Sequence, residues 1–312
     1  MVYVIILNWN GAADTMACLD SLSNMKGALP RVLVCDNASA DDSWSKLHSY
    51  KAKHATLDIQ LIQTGSNLGF AGGNNVGLKM ALSDPKMDFV WLLNNDTIMA
   101  ADALSELLAY MKRHPEVGIC GSTLLYADEP GTIQAAGGRH HPWLGVSEHV
   151  LGHQPYSEHL CSTVMPDDLD YVVGASMFVR RIVLEKVGLL SEDYFLYYEE
   201  IDWATRMKRL LPAMTLGYAA RSIVFHKEGA STQTSDRGGK YYNSFADYFF
   251  ITSRLRFSRK FYPLHSLVVQ ATMLVVAAKR LRVFQVRSAL VALCCFLGFI
   301  PRFLDPRRAM RR

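Results

Sequence analysis

The sequence predicts an α/β protein built on a mostly parallel central sheet with helices on both faces. Apolar strand-like runs alternate with helix-spaced segments over the first 120 residues, the pattern of successive βα units. Polar clusters stand directly after three of those runs, at Asn8-Trp9-Asn10, Asp36-Asn37 and Asn94-Asn95-Asp96. Sheets of this kind bind ligands beyond the carboxyl ends of their strands. The chain of 312 residues is half hydrophobic and one-fifth charged, which suits a sizeable core and excludes global disorder.

The elements follow in order. Val2–Leu7 is an apolar run, read as a buried first strand, and Asp14–Leu22 has helical spacing. Asparagines follow the first run at once and no small-residue cleavage site appears, so this opening is not read as a secretory signal. Arg31–Cys35 is the second strand, Ser43–Lys53 a helix, Leu57–Ile62 a strand and Gly72–Leu82 a helix. Phe89–Leu93 is the next strand, and Ala101–Arg113 a helix stopped by His114-Pro115. Residues 121–170 lack periodicity and read as loops and short strands near an acceptor site. Tyr171–Val179 is a strand interrupted by Gly174-Ala175-Ser176, and Arg181–Gly188 and Ile201–Leu210 are helices. Ser222–Phe225 is a further strand that delivers His226.

Beyond Tyr262 the composition changes. Leu264–Ala278 and Ser288–Ile300 are apolar, while Lys279–Arg287 and Arg302–Arg312 are basic. Residues 254–312 hold 13 Lys and Arg against the single acid Asp305, whereas the preceding chain holds 20 against 28 acids. A basic tail on an acidic body calls for an anionic partner for the tail alone. Apolar stretches of 15 and 13 residues are shorter than the ~20 that span a bilayer as a helix. Their alternation with arginine suits an interfacial helical hairpin on an anionic membrane; the alternative is a packed core or a homodimer contact. A nucleic-acid binder is a rival reading of the basic tail, but the interleaved aliphatic runs suit lipid better and no recognition module is present. The six cysteines show neither zinc-ligand spacing nor the density of a disulfide scaffold, and are read as free thiols of a reducing compartment.

Candidate chemistry sits at the strand ends. Asp96, beyond Phe89–Leu93, is aimed at the ligand crevice, and one carboxylate with diphosphate oxygens and waters suits Mg²⁺ or Mn²⁺. The same residues also fit a turn that caps the following helix. Asp36 is placed to accept from a nucleobase imide or a ribose hydroxyl, and Asp41 to cap a helix. The segment Asn67–Gly77 is glycine-rich and runs into a helix, an arrangement that favours phosphate, without matching the dinucleotide fingerprint. Glu199, Glu200 and Asp202 place three acids ahead of a helix. They offer a base for an acceptor hydroxyl, or simply complement the helix dipole. Phe195, Tyr198 and Trp203 can wall the face of a sugar. His226 is either a metal ligand or diphosphate donor, or a structural histidine. His140, His141, His149, His153 and His159 read as surface residues.

Taken in order, these blocks resemble the family 2 glycosyltransferases, particularly the bacterial rhamnosyltransferase-like branch. The resemblance covers residues 2–227 and rests on Ile5–Gly11, Val34–Ser39, Asn67–Asn74, Leu93–Thr97, Gly174–Met177 and Tyr198–Asp202. It implies a GT-A nucleotide-diphospho-sugar transferase fold over residues 1–255, with a donor half of about 1–120 and an acceptor half of about 121–255. Residues 256–312 would then be a basic and apolar helical tail that associates with membrane. It also implies inversion at the anomeric carbon and a nucleotide-sugar donor, dTDP-rhamnose or a UDP-sugar. The acceptor would be a saccharide, lipid-linked if the tail holds membrane, in cell-surface polysaccharide synthesis at the cytoplasmic face.

By position, the resemblance gives donor-binding roles to Asn8, Asn10, Asp36, Asn67, Gly69, Gly72, Asn74, Asn95 and Asp96. Asp96 and His226 would hold the metal. Glu200 would be the base with Glu199 beside it and Asp202 as the alternative, and Gly174, Ala175, Tyr198 and Trp203 would line the acceptor pocket. Two departures from the family pattern stand out: Asn94 occupies the position of a frequent Asp, and Glu200 that of an expected Asp. Rival classes are a sugar nucleotidyltransferase, which would open with a basic glycine-rich loop where this chain has Asn8–Gly11, and a donor-binding protein without turnover.

Overall fold

The computed structural model describes residues 1–27, 29–54, 56–227 and 244–307. β1 (Val2–Asn8), α1 (Ala12–Ser23), β2 (Arg31–Asp36), α2 (Ser43–Lys53), β3 (Asp58–Gln63), α3 (Gly69–Ser83) and β4 (Phe89–Asn94) follow the predicted alternation within a few residues. Then come β5 (Thr97–Met99), α4 (Ala103–Arg113), β6 (Val117–Tyr126), β7 (Ile133–Ala135), β8 (Gly138–His141) and β9 (Val146–His149). α5 (Glu158–Ser162), β10 (Ser176–Arg180), α6 (Arg181–Lys186), α7 (Glu199–Leu210) and β11 (Thr215–His226) complete the α/β part. Three helices close the described chain: α8 (Ser244–Phe261), α9 (His265–Arg282) and α10 (Val286–Phe296).

The central sheet runs β3-β2-β1-β4-β10-β6-β11-β5, with β7 paired to β6. β3, β2, β1 and β4 are mutually parallel. β10 enters antiparallel between β4 and β6, β6 and β11 are parallel, and β5 runs antiparallel to β11. The parallel half carries the site. In its register Asn8 lies opposite Asp36 and Leu7 opposite Asn94, so the three predicted polar clusters share one edge.

Alternation along β1 covers both faces with helices. Val2, Val4 and Ile6 join a core with Cys18, Leu19 and Leu22 of α1 and Leu47 of α2. Ile5 and Leu7 point the other way, onto α3, where a Cβ at Gly77 would lie 2.7 Å from Ile5 Cγ2 and one at Gly73 2.4 Å from Leu7 Cδ1. The glycines thus let α3 lie flush on the strand. Each fully buried aliphatic side chain contributes ~1.5–3 kcal/mol to this packing.

Two differences from the sequence reading concern the second half. Residues 117–126, the last six of which fall in the stretch expected to be irregular, form a strand in which every residue is buried. A strand covered on both faces shows no alternation, and Gly118, Gly121 and Ser122 imitate a loop. Ser122 keeps its hydroxyl satisfied by bonding Ser176 and Ser222 on the neighbouring strands, each at 2.9 Å. Conversely, the strand expected at Tyr171–Val179 begins only at Ser176; Tyr171 makes an isolated bridge to Gly138.

The chain divides into two compact units. The first takes Met1–Arg139, Glu148–Asp193 and the chain from Glu199 through β11. The second takes His140–Ser147, Tyr194–Tyr198 and the described residues from α8 onward. Its core packs Tyr248, Phe249, Ile251 and Leu255 of α8 with Val269, Met273 and Ala277 of α9 and Ala289, Ala292 and Cys295 of α10. The boundary expected after residue 255 falls inside α8, and the last five residues of the basic tail, 308–312, lie outside the described residues. No described helix is long and apolar enough to cross a membrane. All six cysteines are free thiols; burial pushes Cys18 and Cys35 up to about 12.

Candidate active site

Asn8, Asp36 and Asn95 meet in one buried hydrogen-bond network at the carboxyl ends of β1, β2 and β4. Asp36 is fully buried. Its Oδ1 accepts from Asn8 Nδ2 (2.7 Å) and Ser39 Oγ (2.6 Å), and its Oδ2 from the Ser39 N–H (3.1 Å) and Gln63 Nε2 (2.8 Å). An ionised carboxylate offers about four acceptor sites, so all are filled from within the protein. Thr15 Oγ1 donates to Asn8 Oδ1 (2.7 Å), and Asn95 Nδ2 reaches Thr15 Oγ1 and the Gly11 carbonyl, both at 3.3 Å. Asn10 holds a left-handed φ of +51°. There its amide N–H donates to Ser39 Oγ (2.9 Å) and its Oδ1 accepts from the Ala40 N–H (2.8 Å). Asp41 accepts from the Ser43 N–H at the start of α2.

The glycine-rich segment is organised by Asn37 and Asn67. Asn37 Nδ2 donates to Asn67 Oδ1 (3.0 Å), and Asn37 Oδ1 accepts from the Leu68 N–H (2.9 Å). Asn67 Oδ1 also accepts from the N–H of Gly69, whose φ of +74° opens α3. A Cβ at Gly72 would lie 2.8 Å from Leu68 Cβ, and Asn74 Nδ2 is turned back onto the Phe70 carbonyl. These are the contacts that Gly72 and Asn74, expected from sequence as donor contacts, make within the chain.

Asp96 and His226, 130 positions apart in sequence, are brought together by the pairing of β11 with β5, in which His226 lies opposite Thr97. His226 Nε2 stands 3.2 Å from Asp96 Oδ1, with both side chains nearly buried. On its other side His226 Nδ1 is 2.8 Å from Gln134 Oε1 of β7. An amide oxygen can only accept, so Nδ1 carries a proton. Nε2 faces both Asp96 Oδ1 and, at 3.3 Å, Asn94 Nδ2. A carboxylate oxygen and an imidazole nitrogen thus converge, and with Nε2 deprotonated such a pair suits a divalent cation with further oxygen ligands. Among the described residues no group of three or more His, Cys, Asp or Glu side chains that could hold a metal ion occurs.

The three acids of α7 separate into distinct environments. Asp202 is fully buried and bonded to Arg206 one turn on, whose other guanidinium nitrogens donate to the carbonyls of Val187 (2.9 Å) and Leu189 (2.8 Å). That ion pair pins the segment before α7. Glu199 is buried as well. Glu200 Oε2 is inaccessible and has no hydrogen-bond partner, and burial pushes this carboxyl up to about 7. Tyr197 and Tyr198, directly ahead of the helix, hold left-handed φ values of +66° and +75°, strain of the kind that collects at functional sites.

The aromatics expected to wall a sugar are all buried. Trp203 donates to the Gly188 carbonyl (2.8 Å). Tyr198 donates to the Gly145 carbonyl, and Phe195 stacks on Phe249 with centroids 4.6 Å apart. Aromatic rings at these positions complete the cores of their own units. His140, read as a surface residue, is likewise buried, edge-on to Phe257; the other four histidines are exposed. Gly174 and Ala175 flank the end of β4: the Ala175 carbonyl accepts from the Asn94 N–H (3.1 Å), and a Cβ at Gly174 would be 3.7 Å from Phe70. Gln63, Gln134 and Thr15 were not found by sequence reasoning. A lone glutamine on a short strand carries no local signal.

Residues 3–188 match the profile of Glycosyl transferase family 2. The chain is similar to the low-salt glycan biosynthesis hexosyltransferase Agl10 of Haloferax volcanii, at 26% identity over 66% of this chain. It spans 61% of that relative's length. It is also similar to the N-acetylglucosaminyl-diphospho-decaprenol L-rhamnosyltransferase of Mycobacterium tuberculosis, at 26% identity over 73% of this chain and 76% of that one. Among solved structures it superposes on the mannosyltransferase PcManGT of Pyrobaculum calidifontis, determined with GDP-Man and Mn²⁺. The TM-score is 0.58 at 15% identity, covering 99% of this chain and 79% of that one. That likeness gives the fold, the GT-A arrangement expected from sequence.

Proposed function

The chain belongs to glycosyl transferase family 2, and on that premise we propose that it is an inverting glycosyltransferase that uses a nucleotide-sugar donor and a divalent metal. The observation that carries this reading is the convergence of Asp96 Oδ1 and His226 Nε2 at 3.2 Å, beside the Asn8–Asp36 network at the ligand-binding edge of a parallel sheet. Asp96 and His226 would hold Mg²⁺ or Mn²⁺, with diphosphate oxygens and waters completing the shell. The metal's contribution there is to neutralise charge on the departing diphosphate. Gln134 positions His226 through Nδ1, and Asn94 borders Nε2, the nitrogen that faces Asp96.

Asp36 reads the nucleobase or ribose, an N–H or O–H of the donor taking the place of one of its present partners. Asn10, Asn67, Gly69 and Asn95 fix the backbone at the donor-facing strand ends, and Gly72 and Asn74 shape the first turns of α3 beside them. Glu200 takes the proton of the acceptor hydroxyl as its oxygen attacks the anomeric carbon, opposite the leaving diphosphate. Its raised affinity for a proton matches that task, while Asp202 is committed to Arg206. Glu199 stands beside the base, and Gly174 and Ala175 leave room near the end of β4. The donor sugar is rhamnose on dTDP, with a UDP-sugar as the alternative, and the acceptor is a saccharide, lipid-linked, in cell-surface polysaccharide assembly. The protein then works from the cytoplasm on the inner face of the cell membrane, held there through residues 263–312, either alone or as a homodimer.

Asp96→Ala tests the centre of this reading. The variant should lose transfer and bind donor weakly in Mg²⁺ or Mn²⁺, and EDTA should have the same effect on the unaltered protein. Full activity in either case refutes the metal role.

A further inference from the structure

Helix α9 is apolar on opposite sides. Its inner stripe, Val269, Met273 and Ala277, is buried in the core of the second unit. Its outer stripe, Leu267, Val268, Ala271, Leu274, Val275 and Ala278, is exposed. No charged residue interrupts the helix before Lys279. A helix facing water places polar side chains on that stripe; here roughly 17 Å of helix does not.

Both ends of the stripe are extended by exposed apolar groups of the same unit. At the amino end Trp143, 61% exposed, stacks on His265 with centroids 4.0 Å apart. At the carboxyl end Phe284 is 90% exposed and sits in the turn to α10 with φ +59°. Exposed Lys279, Arg282 and Arg287 surround that end. The one acid after residue 253, Asp305, is bonded to Arg307.

We propose that this face of the second unit is a membrane-docking surface on which α9 lies in the plane of an anionic bilayer. Its outer stripe and Phe284 enter the acyl boundary, Trp143 rests at headgroup level, and Lys279, Arg282 and Arg287 meet anionic headgroups. Hydrocarbon and negative charge are the two complements this surface lacks, and a lipid interface supplies both together. Interfacial depth also favours tryptophan, with one end apolar and the other wet. The inference deepens the membrane part of the proposed function, placing an anchor at Trp143, outside the tail, and it is independent of the donor chemistry.

The full-length protein should sediment with vesicles of phosphatidylcholine and phosphatidylglycerol and bind pure phosphatidylcholine more weakly. Leu274→Glu with Val275→Glu should weaken binding to both by at least about tenfold, because charge is placed in the acyl boundary. Lys279→Glu with Arg282→Glu should remove only the preference for anionic vesicles. Brominated lipid should quench tryptophan emission in the unaltered protein and lose most of that effect in Trp143→Phe, a readout that survives if a helix variant folds poorly. Metal-dependent turnover of a water-soluble acceptor should be unchanged in every variant, which separates failure of docking from failure of the transferase reading. Vesicle binding equal in all variants, or absent from the unaltered protein, overturns the proposal. So does a dimer that Leu274→Glu with Val275→Glu converts to monomer without any change in vesicle binding, since the face would then pair with a second copy.

Discussion

Glu200 and Gln63 are residues whose surroundings say more than their identities. Glu200 is a carboxyl pushed up to about 7 by burial, so it is protonated at pH 6 and available as a base above neutrality. Turnover should rise with pH through about 7, and Glu200→Gln should lower it ~100-fold or more while keeping donor affinity. A variant with intact turnover, alongside a dead Asp202→Asn, would move the base to Asp202. The same shift fixes a stability effect. Between the ordinary glutamate value and about 7 the folded state binds more protons than the unfolded state, so this group costs stability as pH rises. Glu200→Gln should therefore raise the melting temperature at pH 8, by the equivalent of about 3 kcal/mol, and leave it nearly unchanged at pH 4. Gln63 is exposed, whereas Asn8, the other side-chain amide on Asp36, is buried. A nucleobase N–H reaches Asp36 most readily by displacing it. Gln63→Ala should then tighten uridine or thymidine diphosphate binding about three- to tenfold by calorimetry, the net value of one hydrogen bond. Weaker or unchanged binding would show that Gln63 is not a placeholder.

At the scale of elements, α3 and α7 owe their positions to single residues. α3 lies flush on β1 because Gly73 and Gly77 have no side chain. A methyl at Gly77 would meet Ile5 Cγ2 at 2.7 Å and Cys35 Sγ at 3.1 Å, so Gly77→Ala should cost about 1–3 kcal/mol in denaturant unfolding through overpacking. An unaffected midpoint would mean that α3 can lift from the sheet. α7 is tied to the preceding segment through Asp202, Arg206 and the carbonyls of Val187 and Leu189. Removing the buried negative charge in Asp202→Asn leaves the guanidinium without its counter-ion, and breaking such a pair costs about 3–5 kcal/mol. Stability should fall sharply in this variant, and the pH dependence of any remaining turnover should still report Glu200.

The whole molecule comprises two units with separate cores. Scanning calorimetry should resolve two transitions, with Mn²⁺ and a nucleoside diphosphate raising only the one that belongs to the donor unit. A single transition that moves as a whole would show the units to be one cooperative body. The second unit also bears on how membrane binding is best tested. Cutting the chain at residue 263 looks like removal of a tail, yet α8 packs Tyr248, Phe249, Ile251 and Leu255 against α9 and α10. Such a truncation uncovers that core and should cause aggregation, so charged substitutions on the outer stripe are the cleaner probe of membrane binding.

The sequence by itself determined the strand–helix alternation of residues 1–113 and the coincidence of Asn8, Asp36 and Asn94-Asn95-Asp96 with strand ends, because hydrophobic period and turn chemistry are local properties. It also carried the six blocks that resemble the family, and the charge asymmetry of residues 254–312. Only the tertiary structure gave the three acids of α7 their different environments. Glu200, Glu199 and Asp202 look alike in a helix N-terminus, and it is burial without a partner, or pairing with Arg206, that tells Glu200 and Asp202 apart. That Gly73 and Gly77 lie against Leu7 and Ile5 is visible only in the fold. β6 was hidden because a strand buried on both sides has no alternation to detect. The meeting of Asp96, His226 and Gln134 depends on the register of β11 with β5 and on the pairing of β7 with β6. Those are long-range choices, made by the fold as a whole and written in no local stretch of the chain.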